Sequence, residues 1–374
     1  MENVTKKRGL GALYALCPKR HILLLISSAA VVLHLVSRKN KALMQTLSRN
    51  AVQPLHHALA RLNSHLPFSL AELIWSVGII AVLVYIIFFL IRLFTKPEKK
   101  KQVYVILVTV LSIGMTVYAL FCMMWGVYYY GDDFVTSSGL PMRDISAGEL
   151  AEVTEYFARL SNRYGRQVTR TEDGFYVCDR GAILERSHEV FDNAEKHFPC
   201  LDGPDVNAKG FFFSRILSYT DFTGFFFPFT AEANVNTDFP PALFAATVAH
   251  ELSHQRGVAK EQEANFTAVL AGLEYGDADY CYSASLLAYV HLSNALYSAD
   301  RAEWERIYEL LDENVMLDLA LDSWYWKQFE TPVRTVTNTV YEGFLQSYDQ
   351  KLGMKSYGAC VDLLVCYYLE SCGN

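Results

Sequence analysis

The chain has 374 residues, 52% of them apolar and 14% aromatic, with a formal net charge of −7. That charge is unevenly divided: residues 1–130 carry +12 and the remainder −19. An acidic remainder with no Gly-rich phosphate loop and no basic groove argues against nucleotide or nucleic-acid partners.

The basic part holds the long apolar runs. Residues 22–36 form the first, short for a bilayer crossing. The following LHLVSRKN offers no small-residue cleavage site, so the run reads as a membrane helix rather than a signal-peptide core. Residues 70–94, which include LIWSVGIIAVLVYIIFFLI, and residues 103–130 read as two further transmembrane helices. The expectation is a membrane region, 1–130, with two or three spans, and the lipid bilayer as a partner. Arg92, Lys96, Lys99, Lys100 and Lys101 crowd the connection between the last two runs, whereas Asp132 and Asp133 follow the final one. The excess of positive charge on the cytoplasmic side puts that connection in the cytoplasm and everything after Tyr130 outside. Lys6, Lys7, Arg8, Lys19 and Arg20 agree; Arg38, Lys39, Lys41, Arg49 and Arg61 run against the rule. Trp125 with Tyr128, Tyr129 and Tyr130 has the composition of an interfacial aromatic belt.

Residues 131–374 suffice for one domain with its own core. Helical patterns dominate: AGELAEVTEYFARLSNRYG, opened by a Ser146–Glu149 capping box, then AILERSHEVFDNAEKHF, then nearly everything after Ser283. Strand-like stretches are QVTRT with GFYVC as a hairpin, GFFFSRIL, and GFFFPFT leading into AEANVN. The phenylalanines of 211–229 suit a core or sheet face, with the bilayer surface and a substrate groove as alternatives. Residues 231–236, with Glu232 and Asn234, are the candidate exposed edge for pairing with an extended peptide. Cys178, Cys200, Cys281, Cys360, Cys366 and Cys372 lie here, an even number whose pairing the sequence does not define.

The sharpest signal is HELSH. His250 and His254, four apart on a helix, lie on one face and can reach one zinc ion, while Glu251 points at a water on the metal's open position. Pro240 and Pro241 suit the start of that helix, and Gly257 the left-handed residue that ends it. A catalytic zinc needs a third protein ligand. A second helix, EQEANFTAVLAGLEYG, offers Glu261 or Glu263 from its first turn, about 200° apart around the axis, so only one can face the metal. Glu261 is favoured, because Asn265 stands four residues on and can accept a hydrogen bond from a liganding histidine. Glu263 is the alternative ligand.

The HExxH string followed by E-x-x-A-N resembles the gluzincin pattern of two histidines and a later glutamate. The chain also resembles an uncharacterised family of bacterial membrane proteins with zinc-peptidase character, across 224–236, 250–266 and 356–364. The resemblance implies a membrane-anchored, predominantly α, α+β protein: N-terminal transmembrane helices in a bacterial cell membrane, then an extracytoplasmic zincin-like domain with a small sheet. It supplies no substrate.

The function expected is hydrolysis of a peptide or protein substrate. One Zn2+ on His250, His254 and Glu261 would acidify water and polarise the scissile carbonyl, with Glu251 as general base. His291, Arg334 and Tyr357 are candidates for stabilising the oxyanion. The rival expectation is a zinc-stabilised sensor, signalling or assembly module, in which Glu251 has no chemical duty.

Overall fold

A computed structural model describes residues 10–95, 97–348 and 357–372. It is mostly helical with one three-stranded sheet. The chain divides into two compact units: residues 1–48 with 71–131, and residues 49–70 with 132–374. Residues 49–70, the later part of the segment between the first two apolar runs, therefore group with the C-terminal part.

In chain order the first helices are α1 (Pro18–Ser37), α2 (Gln53–Ser64), α3 (Leu70–Thr95) and α4 (Lys99–Phe121). Three stretches are long and apolar enough to cross a membrane: Pro18–Ser37, Leu70–Thr95 and Lys99–Gly126, the last including a π-helical turn beyond α4. Along α3, residues such as Ile80, Phe88 and Phe94 turn their side chains outward. Water would penalise so continuous an apolar surface, and lipid would not. Polar contacts tie α1 to α4, with Ser27 Oγ 2.9 Å from Thr116 Oγ1 and Arg20 Nη1 donating to Thr109 Oγ1 at 2.6 Å.

The second unit continues with α5 (Ala147–Gly165), β1 (Lys209–Phe211), α6 (Ser214–Tyr219), β2 (Gly224–Phe227), β3 (Glu232–Asn236), α7 (Phe244–Gln255), α8 (Glu261–Tyr275), α9 (Ala278–Ala299), α10 (Glu313–Lys327), α11 (Pro332–Ser347) and α12 (Tyr357–Cys372). The capping box opens α5 as the sequence predicts: Ser146 Oγ accepts from Glu149 N–H, and Glu149 answers on the Ser146 N–H. Helices α5, α7, α8, α9 and α12 enclose the core, where Phe157, Phe244, Phe266, Leu286 and Leu364 are fully buried. None of Cys17, Cys122, Cys178, Cys200, Cys281, Cys360 and Cys366 is in a disulfide.

Three expectations need correction. The 167–178 hairpin is short, a single antiparallel bridge from Arg170 to Tyr176 flanked by Thr171 N–H to Phe175 O at 2.9 Å and Val177 N–H to Thr169 O at 3.0 Å, while the outward-facing Tyr176 N–H donates to Asp318. GFFFSRIL is a strand only to Phe211, after which Ser214 opens α6 and its Oγ accepts from Thr237 N–H. The third correction concerns 231–236, which is no edge. The sheet order is β1-β3-β2, with β1 parallel and β2 antiparallel to β3. β3 is the central strand, buried throughout, and its hydrogen-bonding sides are already occupied.

Glu232 and Asn234 are consequently structural. Glu232 accepts from Leu70 N–H at 3.0 Å, Lys209 Nζ at 2.7 Å and Thr230 Oγ1 at 2.7 Å. Ser69 Oγ donates to Asn234 Oδ1, and Lys209 also donates to the carbonyls of Asn63 and Phe68. These bonds fasten residues 63–70 to the sheet.

Candidate metal centre

Local sequence builds this centre. Pro241–Leu243 forms a 3-10 turn that leads into α7, and the Ala-rich FAATVA carries the helix to His250. The helix ends in a Schellman turn: Val258 N–H donates to Ser253 O at 3.1 Å and Gly257 N–H to His254 O at 2.9 Å. Gly257 holds φ 88, the left-handed region where a side chain is strained. The turn then presents Val258 O to His254 Nδ1 at 2.7 Å and starts α8 four residues later.

Three side chains converge. His250 Nε2 is 3.1 Å from His254 Nε2 and 3.2 Å from Glu261 Oε2, which is 3.6 Å from His254 Nε2. A tetrahedral zinc with bonds near 2.0–2.1 Å needs donors roughly 3.3 Å apart, so the set fits that ion. Both imidazoles are aimed by their other nitrogen, His250 Nδ1 standing 2.8 Å from Asn265 Oδ1 and His254 Nδ1 bonded to Val258 O. A hydrogen on each Nδ1 leaves each Nε2 lone pair facing the common point.

Electrostatics sharpens the picture. Burial opposes charge on His254, yet Glu261 beside it raises its pKa to about 9. Burial likewise opposes the Glu261 charge, but His254 and His250 hold that carboxyl well below the usual range. His254 and Glu261 thus favour opposite charges in contact, the condition a cation would replace.

Glu251 lies 3% exposed, and its Oε2 has no hydrogen-bond partner among the described residues. Burial pushes its carboxyl up to about 7, with His250 and His254 pulling the other way. A β-carbon on Gly224 of β2 would fall 2.6 Å from Glu251 Oε1 and 2.8 Å from Asn234 O. Glycine at this position is what gives the carboxylate its room.

Glu263 turns elsewhere. Its Oε2 accepts from Phe134 N–H at 2.9 Å, Lys260 Nζ is 3.7 Å from its Oε1, and burial lifts its carboxyl to about 7. Of the oxyanion candidates, His291 on α9 is buried, and desolvation, reinforced by His250, lowers its pKa to about 4, leaving it neutral near pH 7. Arg334 is engaged in an ion pair with Asp221 and donates to Trp326 O. The Tyr357 side chain lies outside the described residues. Tyr341 went unnoticed in the sequence: its hydroxyl donates to Glu261 Oε1 at 2.7 Å from 80 residues away. Nothing in TVTNTVYEGF marks it.

A family model described as a protein of unknown function (DUF3810) matches residues 48–365. The chain belongs to this family. The match takes in both the 49–70 segment and the HELSH helix. No curated protein and no solved structure matches the chain.

Proposed function

We propose that this protein is a membrane-anchored, zinc-dependent peptidase. The observation that carries the reading is a donor triad of zinc dimensions beside a buried glutamate whose Oε2 has no partner among the described residues. His250, His254 and Glu261 would hold the ion, which would supply Lewis acidity toward a carbonyl and toward water. Glu251 takes the proton of the attacking water and delivers it to the leaving nitrogen. A carboxyl raised to about 7 suits both halves of that task, since it binds and releases a proton near neutral pH. His291, buried, neutral and within electrostatic reach of His250, is the candidate for steadying a developing oxyanion.

A purely structural zinc would leave Glu251 unexplained. Burying a carboxylate oxygen without a partner costs stability, and a scaffold has no use for that cost.

On this reading the domain would lie on the outer side of the membrane, as the charge distribution around the apolar runs suggests. Residues 49–70 and 132–374 share one unit, an arrangement that three crossings permit because both segments then lie on the same side. The basic residues that run against the charge rule are partly held by protein groups, Arg38 by Tyr130 and Arg49 by Gln53 and Cys200 O. The bilayer and an extended peptide or protein chain are the proposed partners.

The test is Glu251→Gln in the full chain, assayed for bound zinc by atomic absorption and for cleavage by proteomic comparison of cells carrying either form. Retained zinc with lost cleavage supports the peptidase. Retained zinc with unchanged cleavage or phenotype would assign the centre to a structural or sensing role, and absence of zinc from the unaltered protein would remove the reading.

A further inference from the structure

Helix α11 begins 57 positions after α8 ends, at Pro332 against Tyr275, yet it reaches Glu261. Its side chains divide between two faces. Arg334, Asn338, Tyr341 and Leu345 follow one another at helical spacing and turn inward. Val333, Val336 and Val340 face outward and are 55%, 63% and 68% exposed. The inward face is latched to one residue: Arg334 Nε is 2.8 Å from Asp221 Oδ2, and Asn338 Nδ2 donates to the same oxygen at 2.9 Å. The Tyr341 ring meets Phe222 edge-on at 5.3 Å. Beyond that contact, its hydroxyl reaches Glu261.

The Glu261 carboxylate has two duties. Oε1 accepts from the phenol at 2.7 Å, while Oε2 faces the imidazoles at 3.2 and 3.6 Å. A glutamate without such a donor turns freely about its last bond and can present one oxygen, both, or neither. Presenting both would fill the corner that catalysis needs open.

The geometry points to Tyr341 as the positioning residue of this centre: it pins one oxygen of Glu261 so that only the other is offered beside His250 and His254. α11, fastened through Asp221, delivers it. The inference rests on the zinc reading above and adds a residue that touches no metal and no reacting atom. Hydrogen bonds to liganding side chains are worth about 10–100-fold in metal affinity, and that sets the expected effect.

The experiment uses the full chain in detergent. Zinc affinity is measured by chelator competition for the unaltered protein, Tyr341→Phe and Asn338→Ala, and cobalt-substituted samples are compared by visible absorption. Tyr341→Phe keeps the ring on Phe222 and removes only the donor. It should weaken zinc by about 10–100-fold and change the position or intensity of the cobalt bands, because the carboxylate coordinates differently. Asn338→Ala, which loosens the latch without touching Glu261, should shift affinity in the same direction by less. Folded Tyr341→Phe with zinc affinity within about twofold of the unaltered protein and an unchanged cobalt spectrum overturns the inference while leaving the zinc reading intact. If Tyr341→Phe fails to fold, unchanged affinity in Asn338→Ala overturns it instead. Failure of the unaltered protein to bind zinc removes both.

Discussion

Glu232 and Glu251 are buried to the same degree, 3% exposed, yet their surroundings are opposite. Glu232 sits among donors: the Leu70 amide, the Lys209 ammonium and the Thr230 hydroxyl. Glu251 sits beside imidazoles and a glycine, and its Oε2 has no donor among the described residues. A satisfied buried charge holds a fold together. One left unsatisfied costs stability and persists where chemistry requires it. Burial alone would have ranked the two glutamates equally; the accounting of hydrogen bonds separates scaffold from centre.

Substitutions can break that contrast. The largest effect expected is on turnover, where Glu251→Gln should lower cleavage by about 10²–10⁴-fold, read on a substrate recovered from the proteomic comparison. The same change should leave the melting temperature unaltered or raise it, since it removes an unsatisfied charge. Lys209→Ala should do the reverse, costing up to about 3–5 kcal/mol of stability by taking away the Glu232 countercharge while the Leu70 amide and Thr230 hydroxyl remain, measured by thermal melting in detergent. A lowered melting temperature for Glu251→Gln together with a harmless Lys209→Ala would invert the assignment. Gly224→Ala should come next. Its β-carbon collides with Glu251 and with the Asn234 carbonyl, so both stability and activity fall, stability by about 1–3 kcal/mol.

The smallest effect is a pH dependence away from the centre. Asp322 on α10 has a buried Oδ1 without a partner among the described residues, and burial, opposed by a hydrogen bond from Trp326, lifts its carboxyl from 3.8 to about 6. The folded state keeps this proton longer than the unfolded chain does. Its contribution is therefore complete below about pH 4, declines as pH rises toward 6 and is constant above. Asp322→Asn should flatten melting temperature against pH across that window, a gain on the order of 1–3 kcal/mol at pH 7. An unchanged slope would show that Asp322 finds a partner in solution.

Legibility in the sequence followed chain distance. His250, Glu251, His254, Gly257, Glu261 and Asn265 fall within sixteen residues, and helical geometry plus one glycine turn fixes their mutual angles. That is why Glu261 could be preferred over Glu263, and why Asn265 could be paired with a histidine. The two longer membrane-length helices were equally plain, because apolar length needs no partner to define it; the first, with a shorter apolar run, left the count at two or three. Strand order was not. β3 comes last in sequence yet lies in the middle, since a strand's neighbours depend on chain crossings that no local pattern records. Gly224, Tyr341 and the 49–70 segment escaped for the same reason. Each acquires its role from a residue tens of positions or more away: Glu251, Glu261 and Lys209 in turn.

The Gly257 turn has one further consequence. Because a single bend sets both the carbonyl that steers His254 and the start of the helix bearing Glu261, the ligand set closes across only twelve residues of chain. Such short-range closure forms early and fast in folding, whereas Gly224 and Tyr341 arrive only with long-range assembly. If the proposed zinc reading holds, the ion would meet a nascent helical hairpin before the pocket around Glu251 is shaped, and cleavage would wait on that later assembly.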